Sequence, residues 1–289
     1  MGVKLIADSG ATKAEWCVVD KNKVKTIFTQ GISPYFLTRE QIRSLLEREL
    51  LPKIKKNNIN EVYYYGTGLG NPVNIKMMRS LLKQIFPKAK RVEADHDLKA
   101  AARALCGRKK GIACILGTGS NSCFYNGKKI IKNSPGLGFI LGDEGSGAYL
   151  GKKVVQYYLY GTFDEDLRDR FEARYQVSQM DILNAVYKKP MPNRYLAGYA
   201  LFLAENRGHY MVENIIEDGL NDFFFNHLYK YRESWTNPIN FVGGVAWGFR
   251  DVLKELCNTY ELELGTILKN PMVGLIKYHS LKKQATLNK

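Results

Sequence analysis

The chain has 289 residues, 45% hydrophobic and 25% charged, a globular composition with length for one large domain or two of ordinary size. Its formal net charge is +15, but the basic residues are spread over many segments and are densest at 53–56, 108–110 and 282–283; this reads as solvated surface charge that favours anionic small ligands, not as the basic stripe of a nucleic-acid binder. No apolar run approaches the roughly 18 residues of a membrane helix, and Cys17, Cys106, Cys114, Cys123 and Cys257, irregularly spaced and without CxxC, read as buried free thiols of a reducing, cytoplasmic compartment.

In chain order, 4–8 and 15–20 read as strands, and 23–29 pairs onward through the turn Asp20-Lys21-Asn22, which makes a three-strand meander. The strand pattern begins so early that no secretory leader is expected. Thr38 and Gln41 form a capping box, and Ile42, Leu45, Leu46 and Leu50 keep helical spacing until Pro52. Residues 61–65 are a strand ending in Gly66-Thr67-Gly68. Ile75, Met78, Leu82 and Ile85 mark a helix, 91–94 a short strand, and 97–106 another helix.

The same order then returns. Residues 111–116 are an apolar strand, Gly117-Thr118-Gly119-Ser120 a turn of small residues, and 121–125 and 128–132 two strands joined by the hairpin dipeptide Asn126-Gly127. A helix-rich stretch follows from 146 to 231, then a strand at 240–242 ending in Gly243-Gly244, a helix at about 247–260 and a last one at about 272–282. Identity between the halves is negligible, so the repeat is one of layout. It implies two mixed α/β domains across a cleft, 1–106 and 107–289, with the last helix (about 272–284) a candidate to pack back on the first.

Two turns carry candidate chemistry. In Asp8-Ser9-Gly10-Ala11-Thr12-Lys13, Gly10 lets backbone amides approach an anion, Thr12 offers a hydroxyl, Lys13 a charge, and Asp8 a carboxylate able to hold Mg²⁺ through water. Alone this reads as an ordinary hairpin tip. Gly117-Thr118-Gly119-Ser120 in the equivalent place of the second half suggests that a polyphosphate is gripped twice, although GxxxxGK[ST] is absent.

With these strings in place, the chain resembles the actin, sugar kinase and Hsp70 ATPase superfamily. The run from Gly136-Leu137-Gly138 to Gly142-Asp143-Glu144-Gly145-Ser146-Gly147 is similar to the signature of the BadF/BadG/BcrA/BcrD ATPases, which include N-acetylglucosamine kinases. The resemblance implies two ribonuclease H-like (actin-like ATPase) domains with mixed sheets flanking a central cleft, Mg·ATP as phosphate donor, a sugar acceptor, no nucleic-acid or membrane partner, and a homodimer. It implies ATP contacts from Asp8, Gly10, Thr12, Lys13, Thr118, Gly119, Ser120, Gly243, Gly244 and Gly248, and acceptor contacts from Ser33, Asp97, Gly136, Leu137, Gly138 and Asp143. For the catalytic base, Ala94-Asp95-His96-Asp97 offers two carboxylates at a strand-to-helix junction; Asp97 fits the family's string better than Asp95, and a plain helix cap is the competing role.

The chain departs from that family at Leu137, where a Trp is usual, and at Gly31-Ile32-Ser33-Pro34, where Gly-x-Asn is usual, so the acceptor stays open. Two rival functions follow. One is the activator ATPase of a 2-hydroxyacyl-CoA dehydratase, which needs exposed cysteines for an iron–sulfur cluster; the other is a nucleotide-binding sugar sensor without transfer.

Overall fold

The computed structural model describes residues 2–280, apart from Ala11 and Asn22; the end of the expected last helix and the Lys282-Lys283 cluster lie outside the described residues. The chain divides into two units: one runs to Gly107 and regains the segment from Pro271, and the other is Arg108–Asn270.

In the first unit, β1 (Val3–Ser9), β2 (Lys13–Asp20) and β3 (Lys23–Gln30) form an antiparallel meander. After helix α1 (Arg39–Glu49), β4 (Ile59–Gly66) returns parallel to β1; after α2 (Pro72–Ile85), β5 (Arg91–His96) adds parallel to β4 and leads directly into α3 (Asp97–Cys106). The sheet order is β3-β2-β1-β4-β5. Side chains alternate across a strand, and both faces of this sheet are covered. Leu5 and Ala7 pack with Trp16, Ile42 and Leu46 of α1, and Met78 and Leu82 of α2. Ile6 packs on the opposite face with Tyr65, Ala100 of α3, and Met272 and Leu275 of the C-terminal helix Met272–Ser280. That helix lies so close to α3 that a Cβ on Gly274 would strike the Ala104 backbone. The capping box at Thr38 and Gln41 is formed.

In the second unit, β6 (Lys110–Leu116), β7 (Ser120–Asn126) and β8 (Ile130–Ser134) repeat the meander. Helices α4 (Gly138–Leu141), α5 (Gly147–Leu159), α6 (Glu165–Tyr175), α7 (Gln179–Tyr187), α8 (Pro192–Gly198), α9 (Ala200–Glu205) and α10 (Tyr210–Asn226) follow. Then come β9 (Ile239–Val242), α11 (Gly244–Gly248), α12 (Arg250–Thr259) and β10 (Leu264–Leu268). The sheet order β10-β9-β6-β7-β8, with β6 parallel to β9 and β9 to β10, is the connectivity of the first sheet over again. Phe223 and Phe224 are buried in the core while Phe225 is exposed.

Two expectations are corrected. The helix expected at 247–260 is broken at Phe249 into α11 and α12, and the edge strand β10 lies where no strand was expected. Leu-Gly-Thr-Ile-Leu is short, interrupted by a glycine and only half-buried, so it carries no alternation to read; it is a strand because β9 is there to pair with. Among the described residues, no helix is long and apolar enough to cross a membrane.

Candidate functional site

The chemistry of the first unit collects where β1 ends. The β1–β2 hairpin sets Ser9 opposite Ala14 and Asp8 opposite Glu15, so both acids share the sheet face that α3 covers. Because β5 feeds straight into α3, Asp97 is the first helical residue. His96 occupies the cap position without a side-chain cap bond, and the Asp97 carboxylate accepts the Leu98 N–H at 2.7 Å. An acid in the first turn also suits the positive end of the helix. Burial first, then the charges of Asp97 and Glu15, push the Asp8 carboxyl up to about 7. Burial likewise raises Glu15, against the opposing pull of Lys13. Asp97 makes no ion pair among the described residues. Asp95, the other candidate, lies near Lys99 at 3.8 Å and His96 at 3.5 Å.

The loop around these acids is laced to its neighbours by backbone bonds. Gly31 N–H donates to the Thr12 carbonyl at 2.8 Å, Ile32 N–H to the Gly10 carbonyl at 3.1 Å, and Thr67 N–H to the Ser9 carbonyl at 2.9 Å. This brings Ser33 beside the hairpin, buried, with its hydroxyl against Gly68. The Gly10 N–H itself donates to the Lys13 carbonyl at 3.0 Å. Thr12 is exposed, and the Lys13 ammonium rests over the Phe28 ring, 3.7 Å from its centroid. Glu15 escaped the sequence reading; the signal was the hairpin arithmetic that places it opposite Asp8.

In the second unit the turn Gly117-Thr118-Gly119-Ser120 closes on a Gly117 N–H to Gly119 carbonyl bond of 3.0 Å. Its own carbonyls cap α5: Gly147 N–H donates to the Gly117 carbonyl at 2.8 Å and Ala148 N–H to that of Thr118 at 3.0 Å. Ser146 is the side-chain cap of that helix. Asp143, held in left-handed backbone conformation at φ 58°, folds its carboxylate back onto the turn and accepts Ser120 N–H at 3.3 Å. A side chain on Gly119 would meet that carboxylate. Burial raises the Asp143 carboxyl, with the Ser120 bond pulling the other way. The hydroxyl of Ser120 is buried and has no hydrogen-bond partner, an orphan of the kind a ligand satisfies.

Other glycines explain how these strands meet. Gly243, at φ 133°, passes so close to β6 that a Cβ would collide with the Leu116 carbonyl, and Gly136 lies beside Ser120 and Asn121. The unit therefore brings Gly136, Thr118, Gly119, Ser120, Asp143 and Gly243 together. Gly138, Gly244 and Gly248 border open space, and Leu137 is exposed. Glu144, beside Asp143, pairs with His227 at 3.1 Å across 83 residues of sequence; the sequence reading did not connect them.

No protein-family model and no curated protein matches the chain. Among solved structures it is similar to a "Putative N-acetylglucosamine Kinase" from Porphyromonas gingivalis, with 41% identity, a TM-score of 0.91, and coverage of 95% of this chain and 98% of that one. The fold alone is shared with a ROK family glucokinase from Streptomyces griseus in complex with glucose and AMPPNP (15% identity, TM-score 0.55, coverage 98% and 100%). It is also shared with MreB 5 of Spiroplasma citri bound to AMPPNP (11% identity, TM-score 0.58, coverage 97% and 96%). The two mixed α/β sheets are thus those of the actin-like ATPases.

Proposed function

Because this chain belongs to the same family as the P. gingivalis protein, we propose that it is an ATP-dependent sugar kinase that transfers the γ-phosphate to a hydroxyl of an amino sugar such as N-acetylglucosamine. The observation that carries the reading is the acid pair of the first unit: a carboxylate at the start of α3, bound only to a backbone amide, beside a second, half-buried carboxylate whose charge the fold disfavours. A general base needs a free carboxylate, and a phosphate-bound cation needs an unbalanced one.

The donor set suits Mg²⁺. This ion commonly takes one or two carboxylates and completes its shell with phosphate oxygens and water, and Asp8 with Glu15 opposite it on the hairpin offers such a pair. Asp8 would hold it through water, with Glu15 behind. When bound, it supplies charge neutralisation on the β- and γ-phosphates.

Asp97 accepts the proton of the attacking hydroxyl. The Leu98 N–H bond fixes it at the first turn of α3, and proton transfer to it is needed only as the new P–O bond forms. Lys13 leaves the Phe28 ring to meet phosphate oxygens, with Gly10 and Thr12 of the same loop beside it. Thr118, Gly119 and Ser120 grip phosphate from the second unit, Ser120 with its orphan hydroxyl. Gly243, Gly244 and Gly248 flank the adenosine, and at Gly244 and Gly248 the absence of side chains leaves room. Asp143 accepts from acceptor hydroxyls, and Ser33 and the Gly136-Leu137-Gly138 segment border the acceptor. The sequence strings favour the BadF/BadG/BcrA/BcrD branch and, through that resemblance, a homodimer, and the buried free thiols favour a reducing, cytoplasmic location.

The test is ADP release over a panel of amino sugars and anhydro-sugars with Mg²⁺, followed by product mass. Asp97→Asn should bind ATP normally and lose transfer by at least about 100-fold; unchanged turnover removes Asp97 from the role. The activator alternative needs exposed thiolates, and all five cysteines are buried. Steady ATP consumption with no phosphorylated product would favour the sensor.

A further inference from the structure

A groove of about 760 Å³ runs between α2 and β5, within the first unit. Its α2 wall presents Lys76, Arg79 and Lys83, and its β5 wall Lys90, Arg91 and Glu93. Glu93 is already committed: Arg91 donates to it from Nε at 2.8 Å, and Arg103 of α3 meets it at 3.3 Å. Lys76, Arg79, Lys83 and Lys90 are exposed, and among the described residues their side chains have no ion-pair or hydrogen-bond partner.

Ordinary solvated charge mixes its signs along a helix. α2 carries Lys76, Arg79 and Lys83 and no acid, and spacings of three and four residues set these cations on one face, where like charges destabilise the helix. The neighbouring helix brings no relief. Arg39 and Arg43 of α1 both donate to the Gln84 side-chain oxygen, at 3.1 and 2.5 Å, which carries positive charge up to the rim of the groove. Cations on an edge strand also discourage pairing with other chains. That accounts for Lys90 and Arg91, and not for the cations across the groove on α2.

The β5 wall is a free sheet edge. β5 stands last in the order β3-β2-β1-β4-β5 and pairs with β4 alone, so its outer row of N–H and C=O groups is open. Val92 and Ala94 turn into the core with Met78 and Leu82 of α2. What the strand offers a partner is therefore main chain, not an apolar surface.

We propose that this groove binds an extended acidic segment of a partner protein, which adds to β5 as a sixth strand and sets an acid at every second residue against Lys76, Arg79 and Lys83. Side chains on one side of an extended chain recur at about 6.6 Å. The α2 cations recur at about 4.5 and 6 Å along the helix axis, a difference that flexible Lys and Arg stems absorb. Main-chain bonds supply affinity and the α2 cations select the sequence. A nucleic acid or a free phosphate answers the charge but leaves the edge unpaired, so the two walls together favour a peptide. The groove lies at the start of β5 and Asp97 follows its end; the groove residues take no part in phosphoryl transfer, and the proposal does not rest on the kinase reading.

The probe is a fluorescent eight-residue peptide of alternating Glu and Thr, titrated by anisotropy into the full chain. It should bind saturably and weaken about tenfold between about 50 and 300 mM salt. The triple variant Lys76→Gln, Arg79→Gln, Lys83→Gln, which removes exposed like charges, should melt no lower than wild type and lose at least about tenfold in affinity. Two backbone-methylated peptides separate pairing from charge, one methylated on the Thr nitrogens and the other on the Glu nitrogens. Successive residues of a strand direct their N–H groups to opposite sides, so one of the two should lose about tenfold and the other keep the affinity of the parent. Equal affinities of the two methylated peptides, or an oligothymidylate of matched charge binding as tightly as the parent, would mean a general anion site and overturn the proposal. Unchanged affinity in the triple variant, or no binding of the parent peptide at millimolar concentration, overturns it as well.

Discussion

Asp8→Asn should stabilise the protein at alkaline pH and not at acid pH. The wild-type carboxyl is pushed from 3.8 to about 7 by burial and by Asp97 and Glu15. A raised folded-state value means that the fold prefers the protonated acid. The stability this acid contributes is therefore complete below its unfolded value near 4 and is lost as pH rises through about 7. At about 1.36 kcal/mol for each tenfold change in proton affinity, a rise of that size corresponds to roughly 4 kcal/mol; relaxation of the site and water penetration around the ionised acid bring the expected difference to about 2 kcal/mol. Asn has the shape of the protonated acid and no charge, so the variant should match wild type at pH 4 and exceed it by about 2 kcal/mol at pH 8. Urea unfolding in metal-free buffer at several pH values reads the difference for Asp8 and the two acids coupled to it, Asp97 and Glu15, while titrating groups remote from Asp8 cancel between the two proteins. A difference that stays flat from pH 4 to 8, or that favours wild type at pH 8, refutes the electrostatic account. With millimolar Mg²⁺ and ATP the order should invert, because only wild type gains binding energy from the metal.

Three further outcomes follow from packing. Tyr231→Phe removes an oxygen that serves Ser122 and Ser134 and should cost about 3 kcal/mol in chemical denaturation, since buried partners are left unpaired; a loss under about 1 kcal/mol contradicts the network. Gly274→Ala gains up to about 1 kcal/mol of helix propensity but forces a Cβ into the Ala104 backbone, where overpacking costs about 1–3 kcal/mol; the melting temperature should fall, and a rise would show that the two helices separate freely. All five thiols are buried, with Cys106 and Cys257 pushed up to about 12, so an aromatic disulfide reagent should label none until the protein is unfolded; fast labelling in the native state would show an exposed thiolate.

Much of this protein is legible along the chain because it is written in local signals. Apolar runs bounded by glycine turns mark β1, β4 and β6; Thr38 with Gln41 marks the start of α1; Asp8, Asp97 and the Gly117–Ser120 turn stand at element ends, where strands hand over to loops or helices. These are properties of neighbours a few residues apart, and periodicity reports them. Tertiary structure alone decided the rest. Glu15 faces Asp8 only because the hairpin register puts it there, β10 is a strand only because β9 offers an edge, and α12 begins afresh because the chain turns at Phe249. His227 reaches Glu144 across 83 residues because α10 returns along the unit that holds α5. The chain's own order specifies which groups are available; long-range pairing and burial specify which of them meet, and with whom each must share its charge.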